Sequence, residues 1–518
     1  MGSLAGTACV GLAAVPAFGK PQTKEGDHNM RFQTGSGTAK GDISHRLFFF
    51  KEDGPDGAYG VHHVYAPVEK PECKVDDGGL DWGCIDFGDP IPMADGPYRC
   101  YGTARPSDQR FMGIGLWESK DALHWTPVRL GQVKRDGKDT NLVNFENLPG
   151  DQTAVGLPNV VPTRDGLRMY FWKHLDGHLR YLIAESKDGL RWRVLDIEKP
   201  ALYHPADGGL WKLAEGLTVH KTFESPMSPE QTLARKRLWS NDSTHIHYNP
   251  QLDRYECYSV WLHPAIPERR VDVDNAPGVH RLIHRRLSED GLNWSDAELI
   301  IMPDASDPWD LQFYFLSVHR QEDWMIGRLG YYRVADGMQT MDTDLCFSRD
   351  GRDWERPVRG GWIPRSKDGF DKTGIYAGGA WIDLGDRWLT LYSGTPEPHN
   401  SKEYKSGVMA AMFPKNRFVG LEAGRTPGGF MTEPFYPAGE TIRIDADIRG
   451  SLRAELCDAF GRKVDGFHLM DSVPVQGDNE AHVLRWKNAS SADHRFECLR
   501  LRFEYTDGVV YGVDFSNS

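Results

Sequence analysis

The sequence predicts an all-β chain, a five-bladed β-propeller followed by a small antiparallel β-sandwich. Three observations predict it: a seven-residue turn signature recurs four times, strand-length segments precede each copy in pairs, and past Glu433 the pattern changes to alternating strands without the signature. At 518 residues the chain exceeds one ordinary core of roughly 100 to 200 residues, so it needs several units or a repeat-built domain with an appendage. Its 16 Trp, 19 Tyr and 23 Phe, punctuated by 55 Gly and 32 Pro, suit many short strands joined by turns.

The signature reads Ser-x-Asp-Gly/Ala-x-x-Trp and occurs as SKDALHW from Ser119, SKDGLRW from Ser186, SEDGLNW from Ser288 and SRDGRDW from Ser348. Its Asp can accept from nearby backbone amides, its Gly accepts a positive φ, and its Trp can cover the adjoining strands, which together describe a tight turn at the outer edge of a unit. Spacing of one signature per blade of roughly 40 to 50 residues plus loops fits, with a long insertion before the third copy. The preceding strands are RCYGTA with FMGIGLWES, LRMYFWKH with LRYLIAES, YECYSVWL with HRLIHRRLS, and WMIGRLGYY with TDLCFS. A fifth unit, IYAGGAWIDLGDRWLTLYSGT with KSGVMAAMF, has the strands but replaces the signature with PKNRFVG. The expected propeller spans residues 31–433, with a strand within Phe48–Tyr65 closing the ring. The segments ETIRIDADI, SLRAELCDAFGRKV, AHVLRWK and CLRLRFEYTDGVVYGVDF predict the sandwich over residues 434–518.

Residues 4–18, LAGTACVGLAAVPAF, are apolar, end in small residues and are too short for a membrane-spanning helix of about 20 residues. They read as the hydrophobic part of an export signal whose basic start is missing, with residues 1–30 a signal remnant and disordered N-terminus. The protein is then expected in the periplasm or outside the cell. A net charge of -13 opposes nucleic-acid phosphates and anionic membranes and favours a neutral or weakly charged ligand. The eight Cys show no paired CxxC spacing, so no zinc site is expected; Cys73 with Cys84 and Cys457 with Cys498 are either disulfides or buried thiols.

The signature turns, LRYLIAESKDGLRW, DPWDLQFYFLSV and the closing YSGT with His399 resemble a group of exported bacterial proteins similar to the five-bladed glycoside hydrolases of families 32, 43 and 68. The resemblance covers nearly the whole chain and implies the propeller, the sandwich and cleavage of a glycosidic bond. Two departures matter. The chain has no WMNDPNG-like segment and no Arg-Asp-Pro motif, so fructan hydrolysis and the residue roles of family 32 do not carry over.

In a propeller the first strand of each blade converges on the axis, so polar residues at its start line one central funnel. NDSTHIHYN places Asp242 there in the third unit, DPWDLQFYF places Asp310 in the fourth and GFDKTGIYAGG places Asp371 in the fifth, while Asp89 and Asn159 are weaker candidates from the first two. Glycoside hydrolysis needs one carboxyl protonated to help the leaving oxygen and one ionised to activate water or attack. A family-43-like layout uses three acids from different blades, and the resemblance so implies Asp242, Asp310 and Asp371: Asp242 or Asp310 as base or nucleophile and Asp371 tuning. Glu215, Glu224, Glu433 or a His remain open as the acid. Each Asp can equally serve as a turn residue bonding backbone amides. His245 and His399 are candidate sugar ligands, as is Gln312, and Trp309, Tyr314 and Tyr376 offer ring platforms or inter-blade packing. Asp188, Asp290 and Asp350 belong to the outer turns and are excluded. No cofactor is expected, although an oxygen-rich axis leaves Ca²⁺ open.

The leading expectation is a glycoside hydrolase acting on a polysaccharide or oligosaccharide. A non-catalytic carbohydrate-binding propeller, a polysaccharide lyase and a sialidase-like enzyme stay open. A binder tolerates loss of the acids, a lyase makes an unsaturated product, and a sialidase needs a converging Arg cluster that no spacing here marks.

Overall fold

A computed structural model describes residues 46–516 apart from 94–95, 107–111, 151, 176–177, 197–239, 270, 272–273, 275–278, 336–338, 400, 402–404, 438 and 495–496. The apolar segment 4–18, Glu215 and Glu224 lie outside the described residues. Among the described residues every regular element is a strand or a short 3₁₀ turn, and no helix is long and apolar enough to cross a membrane.

Local chemistry builds the outer turns as the sequence predicts. In all four signatures the Ser hydroxyl meets Asp Oδ1, at 3.0 or 3.1 Å. That same Oδ1 accepts from the two amides beyond it: Leu123 and His124, Leu190 and Arg191, Leu292 and Asn293, Arg352 and Asp353. A carboxylate so satisfied reverses the chain in three residues without leaving a donor unpaired. The next position is left-handed throughout, at φ 64 for Ala122 and 70, 71 and 75 for Gly189, Gly291 and Gly351.

The four turns end four of five successive antiparallel strand sets, the fifth having no such turn. The first comprises Trp82–Phe87, Tyr98–Pro106, Gly113–Ser119 and His124–Pro127; the second Val155–Thr163, Gly166–Leu175, His178–Ser186 and Trp192–Val194. The third comprises Ser240–Asn249, Arg254–Pro264, Val279–Ser288 and Glu298–Ile301. Leu311–Gln321, Trp324–Arg333 and Thr340–Ser348 make the fourth, which meets the fifth (Gly374–Tyr376, Arg387–Thr395 and Gly407–Pro414) at the parallel step Met341 to Gly374.

One hydrophobic cluster lies between each neighbouring pair of sets. Ile114 and Leu116 meet Leu167 and Phe171; Tyr170 and Ile183 meet Ile246 and Cys257; Val260 and Ile283 meet Phe313 and Leu316. Ile326 and Phe347 meet Ile375 and Phe413, and Cys84 and Trp117 meet Leu389 and Ala410, which joins the fifth set back to the first. Apolar residues on the faces of each set are thus buried against those of its neighbours.

The C-terminal sheet has two 18-residue strands, Thr441–Asp458 and Leu499–Ser516, paired antiparallel with irregularities at Asp445/Ala446 and Ile448/Ser451. It extends across the boundary expected at 433/434, drawing in Val419–Ala423, Gly428–Met431 and, from the other end of the chain, Arg46–Phe48, Asp56–Tyr59 and Val61–Tyr65. The segment expected to close the ring thus adds to this sheet, and the contact with the fifth set falls just after it, where Glu69 bridges Met412. Arg46 reaches Asp445 and Asp514 at 2.6 Å each, while Arg417 reaches the other oxygen of Asp445 at 2.7 Å. The seven described cysteines are free thiols.

Candidate functional site

The first strands of the sets carry polar side chains that reach the next set along. Asn159 Oδ1 accepts from the Ile246 amide, and its Nδ2 donates to Asp89 Oδ2 at 3.3 Å. His245 Nδ1 accepts from the Val318 amide at 3.3 Å, so the neutral ring carries its proton on Nε2, which faces Asp89 Oδ2 at 3.7 Å. Ser317 Oγ reaches the Ala377 carbonyl at 3.5 Å, and the Ala380 amide hydrogen-bonds Asp89. These contacts link the first set to the second, the second to the third, the third to the fourth, the fourth to the fifth, and the fifth to the first.

Above this circuit opens a cavity of about 360 Å³ with walls from all five sets. Asp86, Asp89, Asn159, His245, Tyr314, Tyr376 and His399 contribute polar groups, and Phe87, Trp172 and Phe315 supply apolar surface. On one wall His399 lies between two phenols, its Nδ1 2.6 Å from the Tyr376 hydroxyl and its Nε2 3.0 Å from that of Tyr314. Burial, helped by the charge of Arg281, lowers the His399 imidazole to about 4, so at neutral pH it donates to one phenol and accepts from the other. Among the other lining residues, Asp86 accepts from the Thr103 amide at 3.2 Å, and Asp89 is 15% exposed. Burial alone would raise Asp89, but His245 and the Arg328 guanidinium outweigh it and hold the carboxyl below its ordinary value.

The expected residues divide between the cavity and other places. Asn159, His245, Tyr314, Tyr376 and His399 line it, as does Asp89. Asp242 belongs to strand Ser240–Asn249, just before the lining residues Ser243 and Thr244, and its side chain lies outside the described part. Asp310 and Asp371 do not line the cavity. Asp310 is buried, with Oδ1 2.7 and 2.8 Å from Arg333 and Oδ2 accepting from the Val334 and Ala335 amides at 2.9 and 2.8 Å. Asp371 is buried against Lys70 at 2.6 Å and the Tyr392 hydroxyl at 2.9 Å. In both, the partners overcome the upward push of burial and lower the carboxyl. The physical reason for the difference is that a short Asp at the head of a strand folds back onto the nearest amides and cations instead of spanning to the axis. Gln312 is buried and accepts from Arg281 at 2.7 Å, Trp309 is exposed, and Glu433 is exposed and paired with Lys51 beside the C-terminal sheet. Sequence reasoning missed Asp86; the signal was its place in WGCIDF, the first strand of the first set.

Among the described residues no group of three or more His, Cys, Asp or Glu is arranged to hold a metal ion. No protein-family description matches the chain, and no curated protein matches it by sequence. Solved structures similar to it include a thermostable family-43 glycoside hydrolase at 13% identity and TM-score 0.41, with 68% of this chain and 92% of that one covered. A family 117 glycoside hydrolase from Zobellia galactanivorans shows 11% identity and TM-score 0.39 over 67% and 90% of the two chains. An N-acetylgalactosamine deacetylase from F. plautii, in complex with blood group B trisaccharide, shows 13% identity and TM-score 0.37 over 73% and 97%.

Proposed function

We propose that the five strand sets are the blades of a propeller, that the C-terminal sheet is its sandwich, and that the chain hydrolyses a glycosidic bond in the axial cavity. The observation that carries the reading is the cavity itself, where carboxylates, phenols, an imidazole and aromatic faces converge from all five sets. A sugar presents hydroxyls around an apolar ring face, and this lining matches both surfaces. Asp86 is assigned as the ionised carboxylate that activates water or attacks, and Asp242 as the protonated acid. Asp89, committed to Asn159, His245 and Ala380, positions the wall beside Asp86. Tyr314, Tyr376 and His399 supply hydroxyl and imidazole contacts to the sugar. An exported location follows from the apolar N-terminal segment.

Asp86→Asn and Asp242→Asn, assayed on a panel of glycosides, are expected to lose a hundredfold or more in kcat, about 3 kcal/mol of transition-state stabilisation. Near-normal turnover by either variant sinks the assignment of that residue. One observation favours a second reading, a carbohydrate-binding propeller without catalysis: the two carboxylates seen in the wall, Asp86 and Asp89, come from one stretch of chain instead of facing each other. Sugar binding without cleavage of any glycoside, unchanged in both Asn variants, would establish it.

A further inference from the structure

The first strands of the first four sets each lose pairing register where they reach the cavity. The shifts fall between Cys84 and Asp86, Gly156 and Asn159, Ser240 and Thr244, and Phe313 and Leu316. Regular alternation turns only every second residue to one face, whereas here Leu157, Pro158 and Asn159 line the cavity in succession. In the second set the shift leaves Leu157 left-handed, at φ 50, a conformation that a leucine side chain disfavours. Its amide donates to Thr103 Oγ1 at 2.9 Å, which holds it there.

Around Leu157 the lining is apolar. Trp172 pairs with Gly156 across the strands, and a Cβ at Gly156 would meet the Thr103 methyl at 3.3 Å and Met112 Sδ at 3.5 Å, so these side chains gather beside Leu157. Leu157, Thr103, Met112 and Trp172 all line the cavity. Neighbouring polar groups are engaged within the protein: Thr103 Oγ1 accepts from Leu157, the Thr103 amide donates to Asp86, and Asn159 uses both ends of its side-chain amide. A sugar hydroxyl set against Leu157, Met112 and Trp172 would leave water without a replacement partner, whereas a methyl group would leave water at a gain. Partners for ring hydroxyls come instead from Tyr314, Tyr376 and His399, on the fourth and fifth sets. Asp86 and Asp89 add negative charge, which opposes a uronate or a sulfate ester.

We infer that this corner receives the methyl group of a neutral 6-deoxyhexose, and so selects that sugar over the hexose of the same configuration. The inference rests on the reading of the cavity as a sugar site, catalytic or not. Titration calorimetry of the full chain with sugar pairs that differ only at C6 tests it: L-fucose against L-galactose, L-rhamnose against L-mannose, and 6-deoxy-D-glucose against D-glucose. In the configuration that binds, the deoxy sugar should bind about tenfold or more tighter. Leu157→Asn, which suits a left-handed backbone and brings hydrogen-bonding groups to the corner, should cut that preference to about threefold or less. Equal or tighter binding of the hydroxylated member overturns the inference and leaves the sugar reading intact, whether or not the Asn variant folds. An unchanged preference in a folded Leu157→Asn protein overturns it too. If all six sugars fail while another glycoside binds or is cut, the inference alone falls; if no glycoside does either, the reading of the cavity falls with it.

Discussion

An aspartate at the head of a strand can aim its carboxylate at the axis or fold it back onto the chain, and Asp310 does the second. Its two oxygens take the Arg333 guanidinium and the Val334 and Ala335 amides, tying the start of Leu311–Gln321 to the end of Trp324–Arg333. Removing a buried partner leaves the others desolvated and unpaired, at a typical cost of about 3 kcal/mol. Asp310→Ala is therefore expected to lower the denaturant midpoint strongly while the folded fraction keeps its kcat on any glycoside that the protein cleaves. A stable Asp310→Ala protein with kcat down a hundredfold would restore Asp310 to the reaction. The residue types were legible from sequence, since strand-head aspartates and His399 were all singled out. Their direction was not, because Arg333 meets Leu311 only through a pairing register that repeats do not encode. Asp86 was passed over for the same reason: its alternation along Trp82–Phe87 is irregular, with a register shift between Cys84 and Asp86.

At the scale of the element, the second, third and fourth outer turns meet the set before them. Tyr101 donates to the Gly189 carbonyl and Tyr170 donates to that of Gly291 at 2.8 Å, while Arg99 and Arg168 reach the carbonyls of Asp188 and Asp290. The same tyrosines, with Tyr258, meet the next signature tryptophan edge-on: Tyr101 with Trp192, Tyr170 with Trp294, Tyr258 with Trp354. A Cβ at Gly291 would come within 2.6 Å of both the Tyr170 hydroxyl and Arg168 Nη1, at a φ of 71 that disfavours any side chain. The first turn has no earlier set in the chain to supply a tyrosine, and Ala122 occupies that position. Gly291→Ala is expected to cost roughly 2 kcal/mol, whereas Ala122→Gly, which relieves a left-handed alanine, should gain up to about 1 kcal/mol. Urea unfolding of the two variants measures both signs, and a cost at Gly291 no larger than the gain at Ala122 would show that the tyrosine contact plays no part. The Gly/Ala choice was visible in the four signatures, but the tyrosine that explains it comes from a strand of the previous set and has no local signal.

Across the described part of the molecule, its first and last strands are held together by the sheet that Arg46–Phe48 and Val61–Tyr65 share with later strands. The repeat made the strand sets readable; this sheet was only half readable, because its N-terminal strands are short and carry no repeat. Where it meets the fourth set, Asp344 is fully buried, with Oδ1 accepting from the Tyr65 hydroxyl at 2.5 Å and the Gly360 amide at 2.8 Å. Its Oδ2 has no hydrogen-bond partner among the described residues: Arg356 is 3.7 Å away and is engaged by Asp307 at 2.7 and 2.8 Å. Burial, only partly offset by Tyr65 and Arg356, raises this carboxyl from 3.8 to about 7. Burial raises Asp445 and Asp514 in the same direction at the Arg46 contact. Between the unfolded value of 3.8 and about 7 the folded protein keeps a proton on Asp344 that the unfolded chain has released. Raising pH through that window must then destabilise the fold, at up to about 1.4 kcal/mol per pH unit for one proton, and the loss stops above the folded value. Tm should accordingly fall between pH 5 and pH 8, and Asp344→Asn, which stays neutral, should flatten much of that fall while leaving Tm at pH 5 little changed. An Asn variant that keeps the full slope would move its origin away from this carboxyl.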